Sequence, residues 1–260
     1  EQWQEMSDQV WDECNNNASY NSPKRKEGQP FFSVFNSLIS HEGRIATVNP
    51  SMRNERKIDP ESIELPPYVP DLPEMRDDFA WHMESILMID QWLGMILDDL
   101  EEHGLAENTI IFYYADHGGP MPQGKDIPYE VGYRPPFVVY VPDKWKDLSP
   151  FKPGTQSDRL IDFSDLAPTV LNLAGLKVPA HMDGEPFLGN KTAKPKQYQF
   201  SFRTNAHTHY DPSRIVYDGR YRYIRNYTPH HPHGLWQWYN SQMPSLTAWT
   251  RYWLEGRAEG

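Results

Sequence analysis

Cysteine, runs of positive charge and long apolar stretches are almost absent from this sequence of 260 residues. The single cysteine, Cys14, excludes an internal disulfide, and its neighbours in "DECNNNAS" lack metal-ligand spacing. The formal net charge is -11 and the longest basic run is "KRK" at 24–26, which argues against phosphate-neutralising binding of nucleic acid. No apolar stretch reaches the roughly 18 to 20 residues of a membrane span. We therefore expect neither a nucleic acid nor a membrane as partner.

The sequence does contain apolar segments with the character of buried strands. Many of their residues are aromatic or β-branched, and polar or turn-forming residues bound them. The three predicted strands are "QPFFSVFNSLIS" at 29–40, "NTIIFYYA" from Asn108 and "RPPFVVYVP" from Arg134.

Helical periodicity is clearest between the first two predicted strands. Apolar residues recur three and four positions apart from Phe79 to Leu100, including Met83 and Ile86, and Gly104 closes the predicted helix. On this helix we expect Asp77-Asp78 and Asp98-Asp99 to lie on solvated faces. A second helix is predicted in "DFSDLAPTVLNLAGL", 162–176. The order of these elements predicts an α/β fold, a layered sheet covered by helices on its faces.

The pattern changes after about Pro195. "QYQFSFR", "RIVYD" and "RYRYIRNY" alternate polar and apolar residues, and the Asp-Gly of "YDGR" at 217–220 is typical of a hairpin turn. These segments predict a small antiparallel sheet, and "MPSLTAWTRYWLEG" predicts a final helix. We expect one domain over 1–195 and an incomplete subdomain over 196–260.

Polar residues follow two of the predicted strands. His41 follows the first, and Asp116 and His117 follow "IIFYYA". Ligands of open α/β sheets collect beyond the carboxyl ends of the strands. An adjacent Asp and His at such an end can coordinate a divalent cation, and the glycines that follow allow close approach of the backbone. A turn that merely caps the strand is the alternative.

A lysine in a glycine-flanked loop is the next candidate. Lys125 lies in "QGKDIPYEVG", and a cation near a metal would suit an anionic substrate. A solvated loop lysine is the alternative.

The order of these motifs resembles the sulfatase family of the alkaline phosphatase superfamily. The blocks "PFFSVFNSLISH", "LDDLEEHGLAENTIIFYYADHG", "GKDIPYEVGYRPPFVVYVP" and "SDRLIDFSDLAPTVLNLAGLKVPAHMDGEPFLG" have counterparts in that family at similar separations. "PPYVPDLPEMRDD" and "RYRYIRNY" look most like the sulfohydrolases of heparan-type sugars, the N-sulfoglucosamine sulfohydrolase subgroup. The resemblance implies a hydrolase of sulfate esters or sulfamates of sulfated sugars such as glycosaminoglycans.

The resemblance also implies roles for four residues. Asp116 and His117 would be ligands of a calcium ion, His41 would contact the sulfate or the leaving oxygen, and Lys125 would bind sulfate. Calcium prefers oxygen ligands whereas imidazole suits zinc or manganese, so these two metals are alternatives.

The sequence departs from the family's pattern at the nucleophile. Sulfatases carry a cysteine or serine, oxidised to formylglycine, in a CxPSR-like or SxPSR-like motif, and Cys14 in "CNNNA" does not match it. We assign no nucleophile, expect the formylglycine in an N-terminal part that is not included, and interpret the chain as an internal or C-terminal fragment. The chain alone is expected to be inactive. Residues 1–195 would be the C-terminal part of the catalytic domain.

Three further residues are candidates for binding substrate. His181 in "PAHMDG" would face the rim of the active site, as the family's layout implies, and His207 in "HTHYD" would lie near the pocket. Arg203 could meet a sugar carboxylate or sulfate by bidentate pairing, although a structural ion pair is an equal alternative. The family implies a periplasmic, secreted or lysosomal location.

Two other functions remain open at this point. A metal-dependent phosphatase or phosphonate hydrolase of the same superfamily would also use an Asp-His pair. A non-catalytic sugar-binding accessory protein would lack a nucleophile altogether, but the joint presence of His41, Asp116, His117 and Lys125 argues against it.

Overall fold

The computed structural model describes residues 9–48, 50–206, 209–231 and 238–257. The chain divides into two compact units, Glu1–Leu38 and Ile39–Gly260. In the first unit the ring of Tyr20 is buried and packs against Phe31 and Phe35, with ring centroids 5.3 and 6.0 Å away.

The strand predicted at 29–40 is not formed. Residues 29–38 have no regular secondary structure, and Phe32, Val34 and Leu38 are exposed. A strand needs a neighbour that accepts and donates its backbone hydrogen bonds. No described segment pairs with this one, so aromatic and β-branched composition alone predicted it wrongly.

The second unit is built around one long helix. Pro73 starts this helix in the first-turn position where its missing N–H costs nothing, and Gly104, with φ +65°, lies just beyond its end. The prediction of this helix is confirmed, and its observed bounds are wider than the periodic segment. The helices are α1 (Glu42–Ala46), α2 (Pro50–Asn54), α3 (Pro73–Glu102), α4 (Glu130–Tyr133), α5 (Leu166–Leu173) and α6 (Pro244–Leu254).

The buried face of α3 differs from the predicted apolar stripe. Met83 and Ile86 are exposed, whereas Asp78 is fully buried, so the expectation that Asp78 is solvated was wrong. Asp78 accepts hydrogen bonds from Arg53 at 2.7 Å and from the backbone N–H of Ser245, on α6, at 2.8 Å. Charge pairing can bury a carboxylate that apolar periodicity places in water.

An apolar cluster holds α1, α3 and α6 together. It contains Ile45, Trp81, Met121 and Met243, all buried. Trp81 also donates from Nε1 to the carbonyl of Arg44 at 3.3 Å. The segment that begins with His41 is thereby fixed against the long helix.

Two strands, β1 (Ile111–Tyr114) and β2 (Phe137–Tyr140), pair antiparallel, with Ile111 opposite Tyr140. Phe163 and Phe187 pack against this pair through Phe137, at centroid distances of 6.5 and 5.9 Å. The strands were predicted to be buried, but side chains on the other face, including Val138 and Tyr140, are exposed. The reason is that no described element covers that face.

The small antiparallel sheet and the last helix are confirmed. Strands β3 (Gln199–Ala206), β4 (His209–Tyr217) and β5 (Arg222–Asn226) form the sheet in that order. In the predicted turn, Gly219 has φ +94° and Asp218 accepts from the backbone N–H of Arg220 and Tyr221. These N–H groups lower the pKa of Asp218. The mixed α/β class expected from the sequence is also confirmed.

The helix predicted in 162–176 forms as a shorter element. A 3₁₀ turn, Phe163–Asp165, precedes α5, and Asp162 and Asp165 form a capping box there. Gly175, with φ +73°, ends it as predicted.

Candidate active site

Asp116 and His117 follow the end of β1, and both side chains are accessible to solvent. Asp116 is 86% exposed, and its Oδ1 lies 3.7 Å from Nε2 of His117. Nδ1 of His117 lies 2.7 Å from the carbonyl oxygen of Gly118. Because a carbonyl only accepts, this nitrogen carries the proton, and the lone pair of Nε2 is free to face a cation beside Asp116.

The loop after this pair requires glycine because backbone passes against backbone. A Cβ on Gly118 would lie 1.7 Å from the carbonyl oxygen of Val131, and one on Gly124 would lie 2.0 Å from that of Gly119. The N–H of Lys125 donates to the carbonyl of Gly119 at 2.9 Å. Lys125 is therefore tied by backbone to the loop that carries Asp116 and His117.

Lys125 contacts the segment of His41 through an ion pair with an acidic side chain. Its Nζ lies 2.5 Å from Oε1 of Glu42, the residue next to His41. Glu42 is 3% exposed and its other oxygen, Oε2, has no hydrogen-bond partner among the described residues. A buried ion pair thus links Lys125 to the residue that directly follows His41.

His41 caps the helix α1. Its Nδ1 accepts a hydrogen bond from the N–H of Gly43 at 3.1 Å. In the neutral imidazole the proton then lies on Nε2, which is left as a donor. The ring of Tyr239 lies beside it, with the centroids 6.4 Å apart.

Arg203 is engaged in structural contacts. It forms an ion pair with the buried Asp211, whose Oδ1 accepts from Thr228 at 2.9 Å. It also donates from Nη1 to the carbonyl of Asp126 at 2.7 Å. Asp126 has φ +70°, which few non-glycine residues adopt, and the bond from Arg203 helps hold that conformation directly after Lys125.

The other two substrate-binding candidates are not brought to this place by any described contact. His181 lies exposed in a turn closed by a hydrogen bond from Met182 to Pro179. His207 lies outside the described residues.

The sequence did not point to two residues that lie near the loop of Lys125. Glu42 was visible as the acid after His41, but nothing local pointed to its partner 83 positions away. His82, on α3, faces the loop: its Nε2 would lie 3.1 Å from a Cβ on Gly119. Its Nδ1 is buried without a hydrogen-bond partner in the described part of the chain, and burial lowers the pKa of His82.

The described side chains do not by themselves form a complete metal site. Within residues 9–48, 50–206, 209–231 and 238–257, no group of three or more His, Cys, Asp or Glu residues could hold an ion. Asp116 and His117 fit as two ligands and do not complete a shell. The described helices include none that is both long and apolar enough to cross a membrane.

The likeness of the chain to a solved structure shows a fold of the alkaline-phosphatase-like class. A crystal structure titled "putative sulfatase yidJ", from Bacteroides fragilis, matches it with a TM-score of 0.56 and 23% identity, over 84% of this chain and 52% of that one. Family models named "Sulfatase" and "N-sulphoglucosamine sulphohydrolase, C-terminal" match residues 2–176 and 124–243. The chain belongs to the sulfatase family.

Two relatives illustrate the range of the family. An "Ulvan-active sulfatase" of Formosa agariphila is 30% identical over 95% of this chain and 46% of its own length. The human "N-sulphoglucosamine sulphohydrolase" is 26% identical over 75% of this chain and 39% of its own length. This chain spans less than half the length of these two relatives.

Proposed function

We propose that this chain contributes the sulfate-binding part of an enzyme that hydrolyses sulfate esters or sulfamates of sulfated sugars, with glycosaminoglycans as one candidate class. The observation that carries the proposal is the ion pair between Lys125 and Glu42, the residue that follows His41. Lys125 itself lies on the loop that follows Asp116 and His117. Family membership supports sulfate as the group that is removed.

Each residue has a distinct role in this proposal. Lys125 binds the sulfate oxygens through its ammonium group. His41 donates from Nε2–H to the oxygen or nitrogen that leaves, and this role agrees with the acceptor position of its Nδ1 in the helix cap. Arg203 acts by holding the carbonyl of Asp126, and so the loop, in place.

Asp116 and His117 supply two ligands of a divalent cation in this proposal. Calcium is the first choice and zinc or manganese the alternatives, because one ligand is an imidazole. A bound cation would neutralise charge on the sulfate. The support from this chain is the free Nε2 of His117 beside the carboxylate of Asp116.

We extend the proposal to the organisation of the protein. Residues 1–195 belong to the catalytic domain and 196–260 to a smaller subdomain, where His207 and, from the other part, His181 approach the sugar. The enzyme acts in a periplasmic, lysosomal or extracellular compartment. Cys14, the only cysteine, does not lie in a formylglycine motif, so we expect no turnover of an aryl sulfate by these 260 residues alone.

Binding of inorganic sulfate by the chain tests the proposal without requiring turnover. Titration with sodium sulfate at constant ionic strength should give saturable binding that Lys125→Ala abolishes. Lys146→Ala, which removes an exposed lysine on the 3₁₀ helix Asp143–Leu148, is the matched control and should leave affinity unchanged. Equal binding by the Lys125 variant would refute the assignment, and tighter binding of phosphate than of sulfate would favour a phosphatase.

A further inference from the structure

The carboxylate of Glu42 is buried with half of its hydrogen-bonding capacity unused. Oε1 accepts from Lys125, and Oε2 has no partner among the described residues. An unsatisfied buried acceptor costs free energy, so such groups are uncommon away from functional sites. Among the several such atoms of the described residues, the carboxylate oxygen of Glu42 belongs to the residue directly beside His41.

A second buried acid–lysine pair in the same unit shows what a saturated arrangement looks like. Asp165 is buried, and both of its oxygens lie 2.8 Å from Nζ of Lys196. Its oxygens also accept from the backbone N–H groups of Glu185 and Asp162. Asp165 therefore has the hydrogen bonds of a structural carboxylate, whereas the one described polar partner of the buried Glu42 carboxylate is the ammonium of Lys125.

Glu42 and a bound sulfate would compete for the ammonium group of Lys125. A sulfate that binds Lys125 brings negative charge next to a carboxylate that already shares that ammonium. The carboxylate is shielded from water, so its repulsion of the anion is weakly screened. Glu42 must then weaken the hold of Lys125 on any anion.

We propose that Glu42 is a positioning residue that orients Lys125 beside His41 and limits its affinity for sulfate, so that the sulfate product can leave. This inference rests on the proposed function, because it takes Lys125 as the sulfate ligand. It assigns to Glu42 an effect opposite to that of a residue that only supports the loop. Loss of support would weaken sulfate binding, whereas loss of the counter-charge strengthens it.

The test compares the affinity of the chain and its variants for inorganic sulfate by isothermal titration. Glu42→Gln keeps the shape and removes the charge, and we expect it to bind sulfate roughly tenfold more tightly. Glu42→Asp keeps the charge at a shorter reach and should stay within about twofold of the unsubstituted chain. Asp165→Asn is the matched control: it neutralises the other buried acid–lysine pair and should leave sulfate affinity unchanged.

The outcomes separate this inference from the proposed function. Weaker or unchanged binding by Glu42→Gln, with binding still abolished by Lys125→Ala, overturns the role of Glu42 alone. Absence of saturable binding in the unsubstituted chain, or binding that survives Lys125→Ala, overturns both. Circular dichroism reports folding, and Glu42→Met serves as a second neutral variant if Glu42→Gln does not fold. Unfolding of both neutral variants would show a purely structural role and would also overturn the inference.

Discussion

Arg203 donates from Nη1 to the backbone carbonyl of Asp126 at 2.7 Å and thereby joins the antiparallel sheet to the loop of Lys125. The same side chain neutralises Asp211, which is buried in that sheet. One residue of the small sheet thus contacts both a buried acid of that sheet and the backbone of the loop that carries Lys125.

Replacement of Arg203 by Met should therefore destabilise the chain strongly. It leaves the buried Asp211 without its counter-ion, a change that costs about 3–5 kcal/mol in comparable buried pairs. Urea denaturation measures this loss, and sulfate titration should show weaker binding as the loop loosens. Arg225→Met is the control, because Arg225 is exposed and its described contact is the ring of Tyr227. Equal stability of the two variants would contradict the prediction.

Replacement of Gly118 by Ala should disrupt the loop. The new Cβ would overlap the carbonyl oxygen of Val131, so the backbone of one segment must move. We expect a loss of stability of at least about 1–3 kcal/mol, the usual cost of overpacking, together with loss of sulfate binding.

Gly94→Ala provides the matched control for this substitution. Gly94 lies in α3 and a Cβ there meets no atom within 4 Å, so the change should stabilise the chain by about 0.5–1 kcal/mol. Thermal unfolding compares the two variants. The steric argument fails if Gly118→Ala is as stable as the unsubstituted chain.

Burial of His82 should make stability depend on pH. Burial lowers the pKa of His82 below its ordinary value of 6.5, so the unfolded chain takes up a proton at a pH where the folded chain does not. The free energy of unfolding contributed by this group is therefore full above pH 6.5 and is lost as pH falls from there toward the folded pKa.

His82→Leu should flatten the pH dependence just below 6.5, as measured by urea denaturation at several pH values. An unchanged slope in the Leu variant would show that the dependence arises elsewhere.

Binding of Mn²⁺ should test whether Asp116 and His117, which follow β1, hold a metal ion. We expect Mn²⁺ to broaden the imidazole NMR signals of His117 at low concentration, because Nε2 and the carboxylate of Asp116 face the same space. Asp116→Asn should raise the Mn²⁺ concentration needed for broadening. The exposed imidazole of His181 serves as the internal reference, and equal broadening of both rings would contradict a site at His117.

The elements that the sequence predicted correctly depend on local information. The helix α3, the Asp218-Gly219 turn and the end of α5 at Gly175 follow from periodicity and backbone preferences within a few residues. Pairing is a non-local property. The segment 29–40 has strand composition but no described partner, and the exposed face of β1 and β2 depends on elements that cover it.

The residues of the candidate site likewise fall into those that local sequence features predict and those that depend on contacts between distant segments. Asp116, His117, Lys125 and His41 were singled out because motifs and strand ends mark them in the sequence. The structural ion pair that the sequence left open for Arg203 is formed with Asp211, whereas Glu42 and the bond from Arg203 to Asp126 were not predicted, because contacts across 83 and 77 positions leave no local pattern. For the same reason periodicity predicted Asp78 to be solvated, whereas its partners lie on α2 and at the start of α6.

The contact of Gly118 with Val131 has a consequence for how the loop can change over time. Because main chain rests on main chain there, neither segment can shift without carrying the other along. Exposed side chains of the loop are free to vary as long as the glycines, and the buried Met121 that packs in the apolar cluster, persist. Substitutions within the loop would therefore change the surroundings of Lys125, while the distance of Lys125 from the end of β1 stays the same.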